Sequence, residues 1–504
     1  MRIGDLLLRS SRRYPHKTAI VFGEKRISFS ELNRHVNALA HGFLKLGVKK
    51  GDKVATLMHN SLEIPQTCFF LAKIGCIHVP LNYRLTSDDI LYCLNDSQVS
   101  VLIYSDDFEE TVAAIKPQLE TVTTFVKVGK KAQKGELNWE QLFSTITYEP
   151  EVDVKPTDDM FILYTSGTTG FPKGVILSHI NYLTTLIGFA WNLHVSEKDI
   201  VLNYLPMYHV GAFLHIIMPV LFGGTQIQMR SFDPEQMLKI IDREKVSWVF
   251  VIPPHLINQI LAVENFGNYN VSSLRNFGFS GGLWSIENRK KTLAKFPNAQ
   301  LADHYGLTEA MNVCSLNYQY ILQKDPSCKG KPNYFTDARI VDENDNDVPP
   351  GEAGELIIRG MEVMKGYYNK PVETSKVLRG GWLHTGDVFK MDEEGYFYLL
   401  DRVDDMVKTG GENVYPQEVE KVILTHQGVA EVAVVGVPDE KFGQAVKAFV
   451  VRKIPATVTE EELIEFCKKN LAGYKKPRHV EFVDELPKNL IGKVLKKVLR
   501  QKGI

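Results

Sequence analysis

One short segment of the chain concentrates the residue types that bind phosphate groups. Residues Tyr164–Gly174 read YTSGTTGFPKG, with three glycines, four serine or threonine hydroxyls and one lysine in eleven residues. Backbone N–H groups and hydroxyls in such a turn can surround phosphate oxygens, and glycine permits their close approach. The lysine follows Pro172 and lies outside the register of a Walker P-loop, so the segment predicts a different kind of phosphate loop. The expected donors are Thr165, Ser166, Gly167, Thr168, Thr169 and Lys173.

The composition limits the class of partner. The 504 residues include 59 lysine and arginine residues and 60 aspartate and glutamate residues, and the formal net charge is −1. A protein that binds nucleic acid through its phosphates carries a basic surface, so we expect small-molecule partners and no nucleic acid. The six cysteines lack the spacing of a zinc site, and we expect them to be reduced thiols of a cytoplasmic protein.

The elements that must position the phosphate loop alternate between strands and helices. Short β-branched runs and longer segments of helical period follow one another, which predicts βαβ units and a mainly parallel sheet. The first of these segments are Thr18–Phe22, Phe29–Leu46, Lys53–Met58, Glu63–Ile74 and Val99–Tyr104. The pattern resumes with a strand at Phe161–Tyr164, directly before the loop. Because open α/β sheets bind ligands at the carboxyl ends of their strands, the chemistry is expected there.

The chain is too long for one hydrophobic core, since single cores stop growing at about 250–300 residues. From about Asp337, short strands and tight turns predict a small β-rich subdomain, and a separate α+β pattern begins after Arg402. We therefore predict an α/β fold whose large N-terminal domain, residues 1–402, contains parallel-rich α/β sheets and the β-rich subdomain. An α+β C-terminal domain, residues 403–504, follows it.

The most apolar stretch of the sequence is Gly211–Gly224, which is shorter than the ~20 residues that span a bilayer. We therefore expect no transmembrane segment. Peripheral contact with a membrane surface stays open, and so does the choice between a monomer and a homodimer.

Further segments occur with the phosphate loop in a fixed order over nearly the entire chain. They are Ser280–Leu283, His304–Glu309, Trp382–Asp387, Asp401–Arg402, Asp404–Val414 and Pro487–Lys493. Alone, Ser280–Leu283, His304–Glu309 and Trp382–Asp387 would more often be ordinary turns or loops, Asp401–Arg402 a surface ion pair, and Pro487–Lys493 a solvated basic face. Together they resemble the motifs of the adenylate-forming (ANL) superfamily, which comprises acyl-CoA synthetases, luciferases and the adenylation domains of peptide synthetases. The chain is similar to the acyl-CoA synthetase branch, the fatty-acid and aryl-acid CoA ligases.

The resemblance implies a site for ATP. Tyr305 would stack on adenine, Thr308 would contact the α-phosphate, and Glu309 would bind Mg²⁺, for which a carboxylate is a suitable ligand. Asp387 and Arg402 would bind the ribose hydroxyls, a role that suits an ionised carboxylate because it only accepts hydrogen bonds. The segment Ser280–Leu283, with Gly281, Gly282 and Leu283, would form the glycine-rich wall beside adenine and the acyl group, and His304 and Gly306 would also belong to the nucleotide site.

The resemblance also implies that the C-terminal domain is mobile. Lys493 would stabilise the negative charge that develops on the phosphates during adenylation. Asp404 would be the hinge for a rotation that follows this step. The loop that would then line the pantetheine tunnel of CoA contains Lys408, Gly410 and Gly411. Arg84 aligns with a position that holds the nucleotide end of CoA in some relatives, and a structural salt bridge is the alternative for this residue.

The segment Met207–Phe213 corresponds to the border of the carboxylate pocket. Relatives that activate amino acids keep an aspartate near the position of His209, and its absence argues against an amino-acid substrate, whose buried ammonium would stay unpaired. His209 would instead gate the site or orient the carboxylate. The other expected wall residues, beside Leu283, are Val210, Gly211, Phe213, Leu307, Met311 and Asn312. They predict an apolar acid: a medium- or long-chain fatty acid is favoured, and an aryl acid similar to benzoate is the alternative.

The predicted function is that of an AMP-forming acyl-CoA ligase, which uses ATP, Mg²⁺ and CoA. The acid and ATP would form acyl-AMP and pyrophosphate, and the CoA thiol would then form acyl-CoA and release AMP. Because the adenylate is already activated, no residue needs to act as a covalent nucleophile. The expected catalytic residues are Lys493, His209, Glu309 and Thr308.

Three other functions are alternatives to this prediction. A carrier-dependent adenylation domain is less expected, because no adjoining carrier segment follows Ile504. A luciferase-type oxygenase would also form the adenylate, and only a test for CoA dependence separates it. A non-catalytic acyl-adenylate-binding protein would be expected to lack the lysine or the glutamate, yet Lys493 and Glu309 are both present.

Overall fold

The computed structural model describes residues 1–165, 172–282, 284–410, 412–488 and 494–502, with the backbone alone at His255 and Asp404. The chain divides into two compact units. Unit 1 comprises Met1–Pro326, Gly330–Asp337 and Ile358–Leu383. Unit 2 comprises Ser327–Lys329, Ala338–Ile357 and His384–Ile504. The domain boundary between residues 402 and 403 stays a prediction.

Helices and strands alternate along much of the described chain. The helices are α1 (Ile3–Arg13), α2 (Phe29–Lys45), α3 (Glu63–Ile74), α4 (Ser87–Asp96), α5 (Glu109–Ile115), α6 (His179–Leu193), α7 (Val210–Phe222), α8 (Pro234–Glu244), α9 (His255–Leu261), α10 (Ile286–Lys295), α11 (Pro371–Val377), α12 (Pro416–Leu424), α13 (Glu460–Asn470) and α14 (Lys496–Lys502). Short 3₁₀ turns lie at Asp106–Phe108, Lys116–Gln118, Trp139–Leu142, Phe266–Asn268 and Val403–Asp405.

The strands are short, as expected for parallel sheets connected by helices. They are β1 (Thr18–Phe22), β2 (Lys25–Ser28), β3 (Lys53–Leu57), β4 (Ile77–Pro80), β5 (Val101–Ser105), β6 (Thr124–Val128), β7 (Leu137–Asn138), β8 (Asp159–Thr165), β9 (Lys173–Ser178), β10 (Ile200–Asn203), β11 (Thr225–Gln228), β12 (Trp248–Val251), β13 (Asn276–Ser280), β14 (Gln300–Tyr305), β15 (Cys314–Leu316), β16 (Cys328–Pro332), β17 (Thr336–Val341), β18 (Ala353–Gly360), β19 (Gly366–Tyr367), β20 (Leu378–Arg379), β21 (Trp382–Met391), β22 (Phe397–Arg402), β23 (Val407–Thr409), β24 (Glu412–Val414), β25 (Val429–Asp439), β26 (Gly443–Arg452) and β27 (His479–Phe482).

Local sequence signals explain where the predicted helices begin and end. The Ser28 hydroxyl accepts a hydrogen bond from the Glu31 backbone N–H at 3.3 Å, and the Glu31 carboxylate accepts one from the Ser28 N–H at 2.9 Å. This capping box satisfies donors that the first turn of α2 leaves unpaired. α3 is followed by Gly75 at φ 72°, a left-handed conformation that glycine adopts without strain. The helices predicted at Phe29–Leu46 and Glu63–Ile74 are confirmed as α2 and α3.

The described part of unit 1 forms two sheets. In the first, β14, β13, β12, β10, β11 and β1 are neighbours in that order and run parallel, with antiparallel β15 and β16 at one edge and β2 at the other. The second has the order β19-β9-β8-β4-β3-β5-β6-β7, and its strands run parallel except for β9, which pairs antiparallel with both β8 and β19. The phosphate loop follows β8, as predicted, and β8 lies within the second sheet.

Helices α6 and α7 lie between the two sheets. Phe213 of α7 contacts Phe161 of β8 in the second sheet, with ring centroids 4.5 Å apart. On the opposite side, Phe189 of α6 and His215 of α7 contact Trp248 of β12 in the first sheet, at 5.6 and 5.1 Å. Because both sides of the pair are covered, the pair can be apolar all round.

This position explains the apolar stretch Gly211–Gly224, most of which is α7. A helix that is apolar all round is expected either in a protein core or in a membrane, and here its neighbours are the two sheets. In the part of the chain that the structure describes, no helix combines the length and the hydropathy needed to cross a bilayer.

Unit 2 contains the β-rich and the α+β regions that the sequence predicts. Strands β17, β18, β21 and β22 are neighbours in that order. A further sheet has the order β24-β23-β26-β25, with β27 beside β26. Helices α12 and α14 pack on β25, and α13 packs on β27. The predicted α/β class, with a large N-terminal and a small C-terminal part, is confirmed by solved structures of similar chains, which are described below.

Candidate active site

The β8–β9 hairpin frames the predicted phosphate loop. Thr165 at the end of β8 is the register partner of Lys173 at the start of β9, and the Thr165 hydroxyl donates to the Lys173 carbonyl at 3.5 Å. Both side chains are half-buried. The predicted donors Ser166, Gly167, Thr168 and Thr169 lie outside the described residues. The hairpin therefore holds the two ends of the loop together at the carboxyl end of β8, in the second sheet of unit 1.

A cluster of three side chains lies beside this hairpin. The Lys173 ammonium is 5.3 Å from the centroid of the Tyr367 ring, and the Tyr367 hydroxyl donates to Glu309 Oε1 at 2.8 Å. Tyr367 reaches this position because β19 pairs with β9, where Tyr367 is the partner of Val175. The Met364 N–H also donates to the Glu309 carbonyl at 2.7 Å. Two predicted residues from distant motifs are thus brought together.

Tyr367 was not among the residues predicted from the sequence. It is 58 positions from Glu309 along the chain, and the contact depends on the antiparallel pairing of two short strands. The spacing of residue types gives no signal for that pairing. The tyrosine hydroxyl restrains the Glu309 carboxylate, which leaves the second carboxylate oxygen available as a ligand.

The turn from Gly306 to Asn312 explains how Glu309 is presented. A Cβ atom on Gly306 would lie 1.7 Å from the Met311 carbonyl oxygen, so only glycine fits this close approach. The Met311 N–H donates to the Leu307 carbonyl at 2.6 Å, and Met311 has a left-handed φ of 57°. Thr308 and Glu309, at the top of the turn, are half-buried. Their side chains are therefore accessible to a ligand, while the hydrogen bond from Met311 to Leu307 and the close approach of Gly306 fix the backbone of the turn.

These residues fit a magnesium ion that is held mainly by substrate. Mg²⁺ typically takes one or two carboxylates and keeps water and phosphate oxygens as its other ligands. Glu309 supplies one half-buried carboxylate beside the phosphate hairpin. Within the described ranges, no group of three or more histidine, cysteine, aspartate or glutamate residues could hold a metal without such help.

The predicted adenine wall forms at the carboxyl ends of two parallel strands. Ser280 of β13 is the register partner of His304 of β14, so Gly281 and Gly282 follow β13 directly beside Tyr305. Gly281 has φ 81° and both glycines are exposed, whereas His304 and Tyr305 are buried. Leu283 lies outside the described residues. The glycines thus leave exposed backbone at the carboxyl end of β13, beside the end of β14.

His209 lies at the amino end of α7, immediately before its first helical residue. Burial, together with the positive charge of Arg84, lowers the pKa of His209 to about 4, so its imidazole is neutral near pH 7. Its Nε2 atom is buried and has no hydrogen-bond partner among the described residues. A neutral ring with an open nitrogen can orient a substrate carboxylate or carbonyl through a hydrogen bond.

Arg84 is connected to His209 through aromatic rings. The exposed guanidinium is 5.7 Å from the Tyr83 ring, which meets the Tyr208 ring edge-on at 5.2 Å. Tyr208 in turn contacts His209 at 4.5 Å. Arg84 therefore marks the outer end of a path of rings that leads to His209. Its contact with CoA stays a prediction.

The predicted acyl-pocket residues lie in two groups. Val210 and Gly211 are half-buried at the start of α7, and Leu307, Met311 and Asn312 belong to the turn after β14. The Asn312 amide donates to the Ser315 hydroxyl at 3.4 Å, and His304 Nδ1 lies 2.9 Å from the same oxygen. Phe213 is fully buried on the opposite side of α7, against Phe161.

A wall of rings that was not predicted from the sequence continues from this region. Phe250 of β12 contacts His215 at 5.1 Å and His304 at 5.4 Å, and Phe189 of α6 contacts His304 at 4.8 Å. Trp248 lies beyond His215. In the sequence these residues have the periodicity of ordinary core positions, so their pattern gave no signal of a site. We refer to Phe189, His215, Trp248, Phe250 and His304 as the ring wall.

Unit 2 contains the predicted ribose-binding pair. Asp387 of β21 and Arg402 of β22 are register partners, and Arg402 Nε lies 3.1 Å from Asp387 Oδ1. The Gly386 N–H donates to Glu355 Oε1 at 2.9 Å, and Gly386 has φ 71°. The turn at Gly386 thereby places the carboxylate and the guanidinium side by side, where a diol could bridge them.

The predicted hinge and loop residues also belong to unit 2. Asp404 lies in the 3₁₀ turn Val403–Asp405 directly after β22. Lys408 is exposed on β23, and Gly410, at φ 59°, donates its N–H to the Phe442 carbonyl at 2.9 Å in the turn between β23 and β24. Gly411 and Lys493 lie outside the described residues. Their assigned roles stay predictions.

Comparison with known families identifies the chain. A family model described as "AMP-binding enzyme" matches residues 7–368, and one described as "AMP-binding enzyme C-terminal domain" matches residues 418–493. The chain belongs to the AMP-binding enzyme family. The predicted membership of the CoA-ligase branch of the adenylate-forming superfamily, and the prediction of an enzyme, are confirmed.

Individual relatives match almost the whole chain. A feruloyl-CoA synthase of an Amycolatopsis species is 35% identical over 504 residues, which is 99% of each chain. A long-chain-fatty-acid–CoA ligase of Mycobacterium tuberculosis is 35% identical over 479 residues, 94% of this chain and 93% of the relative. The solved structure of the o-succinylbenzoate CoA synthetase of Bacillus subtilis, in complex with its acyl-adenylate intermediate, superimposes with a TM-score of 0.86 at 28% identity and covers 98% and 97% of the two chains.

Proposed function

We propose that the enzyme activates an apolar carboxylic acid as an acyl-adenylate and transfers the acyl group to CoA. In the first step a carboxylate oxygen attacks the α-phosphorus of ATP, the bond to the β-phosphate oxygen breaks, and pyrophosphate leaves. In the second, the CoA thiol attacks the adenylate carbonyl, loses its proton, and displaces AMP. The observation that carries the proposal is the contact of Lys173, Tyr367 and Glu309 beside the phosphate hairpin.

The cluster suits the adenylation step. Lys173 and the loop donors hold the phosphates, and Tyr367 keeps one oxygen of Glu309 in place so that the other can bind Mg²⁺. When bound, Mg²⁺ neutralises charge on the triphosphate and on the leaving pyrophosphate. His209, neutral near pH 7, orients the acid through its open nitrogen rather than transferring a proton.

The C-terminal residues complete the proposal. Lys493 stabilises the charge that develops on the phosphates, an interaction worth more in the transition state than in the ground state. The Asp387–Arg402 pair binds the ribose, and a rotation at Asp404 exchanges Lys493 for the loop with Gly410 and Gly411 before CoA reacts. The roles of Lys493, Gly411 and Asp404 are supported by the match of their segments to the family's motifs.

Two classes of acid are candidates. The ring wall favours a flat aryl acid, because aromatic rings pack well against other rings. The name of the Amycolatopsis relative, a feruloyl-CoA synthase, supports the same class. A medium- or long-chain fatty acid, the class that the sequence favours, is supported by the name of the mycobacterial relative, which is equally similar at 35% identity.

Exchange of labelled pyrophosphate into ATP tests the adenylation step. Purified enzyme with ATP, Mg²⁺ and a suitable acid is expected to catalyse this exchange before CoA is added, and CoA is then expected to yield acyl-CoA without oxygen. A panel of aryl, fatty and short-chain acids identifies the class. Absence of exchange with every acid contradicts the adenylate route and favours a non-catalytic binding protein.

The two half-reactions test the role of Lys493. Lys493→Ala is expected to slow pyrophosphate exchange by about 10²–10³-fold, because one preorganised cation is lost from the transition state. Thioester formation from supplied acyl-AMP should stay within about threefold of the unaltered enzyme, since that step does not use the lysine. Lys488→Ala is the matched control, because Lys488 is paired with Glu431 at 2.6 Å. An equal loss in both steps contradicts the assignment.

A further inference from the structure

His215, in the ring wall, has a hydrogen-bond acceptor that no described residue uses. Its Nδ1 lies 2.7 Å from the Gly211 carbonyl, and a carbonyl only accepts, so the ring proton is on Nδ1. Burial lowers the pKa of His215 to about 4, which keeps the ring neutral. Nε2 therefore carries a lone pair, and this buried atom has no partner in the described ranges.

Trp248 presents the complementary group. Its Nε1–H can only donate, it is buried, and it also lacks a partner among the residues that the structure describes. The ring centroids of His215 and Trp248 are 5.1 Å apart, yet the two rings do not hydrogen-bond to each other. An unpaired buried donor near an unpaired buried acceptor is costly, so the pair needs an explanation, which a bound ligand or a buried water could supply.

These two rings are continuous with the predicted acyl pocket. His215 bonds to Gly211, two residues after His209, and Phe250 connects the His215 ring to the His304 ring at the carboxyl end of β14. Phe250 packs directly on Gly278 of β13, since a Cβ atom at Gly278 would lie only 2.4 Å from Phe250 Cδ2. These contacts thus connect the start of α7, next to His209, with His215 and Trp248.

We propose that the acid is an aryl acid with a hydroxyl group on the ring, remote from the carboxylate, and that this hydroxyl contacts His215 and Trp248. Its O–H donates to His215 Nε2, and its oxygen accepts from Trp248 Nε1–H. A hydroxyl is the small neutral group that can do both at once. This inference depends on the proposed function, and it names the substrate class of the same site.

The methyl end of a fatty acid fits this site less well. An alkyl chain would cover both polar atoms without bonding to either, and the site would keep the cost of two unpaired groups. A buried water could satisfy them instead. In that case the enzyme would show no preference for a hydroxyl on the substrate, so the test below separates the two cases.

The test compares acids that differ only by the hydroxyl. Pyrophosphate release is measured with 4-hydroxycinnamate against cinnamate and with 4-hydroxybenzoate against benzoate, and the ratio of kcat/KM within each pair is the hydroxyl preference. The unaltered enzyme is expected to prefer the hydroxylated member of at least one pair by about 10- to 100-fold. Because both acids are assayed on one preparation, partial misfolding cancels in the ratio.

Two variants assign the preference to the two rings. Trp248→Phe keeps a ring and removes only the donor, and it should lower the preference by about fivefold or more, while His215→Leu should bring it close to one. Activity on the unhydroxylated acid should persist in both. Trp139→Phe is the matched control, since Trp139 is a buried tryptophan of unit 1 that packs on Phe70 and Phe143.

Each other outcome overturns the inference. Equal use of the paired acids favours a buried water, and a preference that both variants retain places the recognition elsewhere. Pyrophosphate release with fatty acids and not with aryl acids rejects the substrate class and leaves the proposed function intact. Absence of release with any acid rejects the proposed function itself, and the inference with it.

Discussion

On the proposed nucleotide side of unit 1, Lys173 and Glu309 are half-buried and both contact Tyr367. On the proposed acyl side, His215 and Trp248 are buried among rings, and each has a polar atom without a partner in the described residues. The first arrangement suits a ligand whose charges are the same in every reaction, because ATP does not change. The second suits an acid that has a polar group of its own. An acid without that group would leave the buried polar atoms of His215 and Trp248 without hydrogen-bond partners.

The difference bears on where specificity is encoded. Phosphate chemistry demands particular residue types at particular spacings, which is why it leaves motifs. Recognition of the acid depends on which buried atoms are left unpaired, and such atoms differ little in sequence from an ordinary core. Experiments that separate the two sides should therefore alter the rate of adenylation on one and the choice of acid on the other.

The largest effect is expected at Glu309. Glu309→Gln keeps the size of the side chain and removes the charge that we propose binds Mg²⁺, and pyrophosphate exchange should fall by about 10²–10³-fold with every acid. The hydroxyl preference should not change, because the ring wall is untouched. Glu235→Gln serves as the control, since Glu235 is a surface residue of α8 paired with Lys239. A changed preference in Glu309→Gln would break the proposed separation of the two sides.

A smaller loss is expected from the turn that presents Glu309. Gly306→Ala places a Cβ where the Met311 carbonyl oxygen lies 1.7 Å away, so the turn must shift and exchange should fall by about tenfold or more. Gly267→Ala is the comparison, because no atom lies within 4 Å of the added Cβ. Exchange rates and melting temperatures of both variants check this. Unchanged exchange in Gly306→Ala would show that the position of Glu309 is not critical.

A modest effect is expected at Tyr367. Tyr367→Phe keeps the ring beside Lys173 and removes the hydrogen bond to Glu309, which should raise the Mg²⁺ concentration needed for half-maximal exchange by about fivefold. Tyr368→Phe, the neighbouring change, removes a hydroxyl that donates to Gln98 and should leave the Mg²⁺ dependence unaltered. Equal effects of the two changes would argue that the Tyr367 hydroxyl does not act through Glu309.

The smallest effect is expected from pH on the acyl side. Burial lowers the pKa of His215 to about 4, below the pKa of ~6.5 of an exposed histidine. The neutral ring therefore contributes fully to the stability of the fold above about pH 6.5, and this contribution is lost as the pH falls toward 4. Between about pH 6 and about pH 8 the hydroxyl preference should therefore be constant. Measurement of the hydroxyl preference at several pH values checks this. A change of the preference near neutral pH would show that the His215 ring takes up a proton there.

The regular elements could be predicted from the sequence because local signals determine them. α2 and α3 form where their helical period and capping residues indicate, and β8 ends at the phosphate loop as expected. The sequence also predicts nucleotide-binding roles for Thr165, Lys173, Glu309, Asp387 and Arg402. For Thr165 and Lys173 the prediction comes from residue types that suit phosphate, and for the other three it comes from the resemblance to a family, so these roles stay predictions.

Tyr367, His215 and Trp248 could not be predicted in the same way. Tyr367 depends on the pairing of β19 with β9, which is set by the whole fold. His215 belongs to an apolar helix whose two sides face different sheets, and only the fold shows that this side contacts Trp248 while Phe213 faces Phe161. Periodicity identifies a buried position, and it does not indicate whether the polar atom at that position has a partner.

The central claim is that the carboxylate of the acid attacks the α-phosphorus of ATP. The most direct measurement is a reaction of ¹⁸O-carboxyl-labelled acid with ATP and CoA, followed by mass spectrometry of the products. The account predicts AMP that carries one ¹⁸O atom, because one carboxylate oxygen stays on the phosphorus when the thiol displaces AMP. Unlabelled AMP, or label in inorganic phosphate or pyrophosphate, would contradict it.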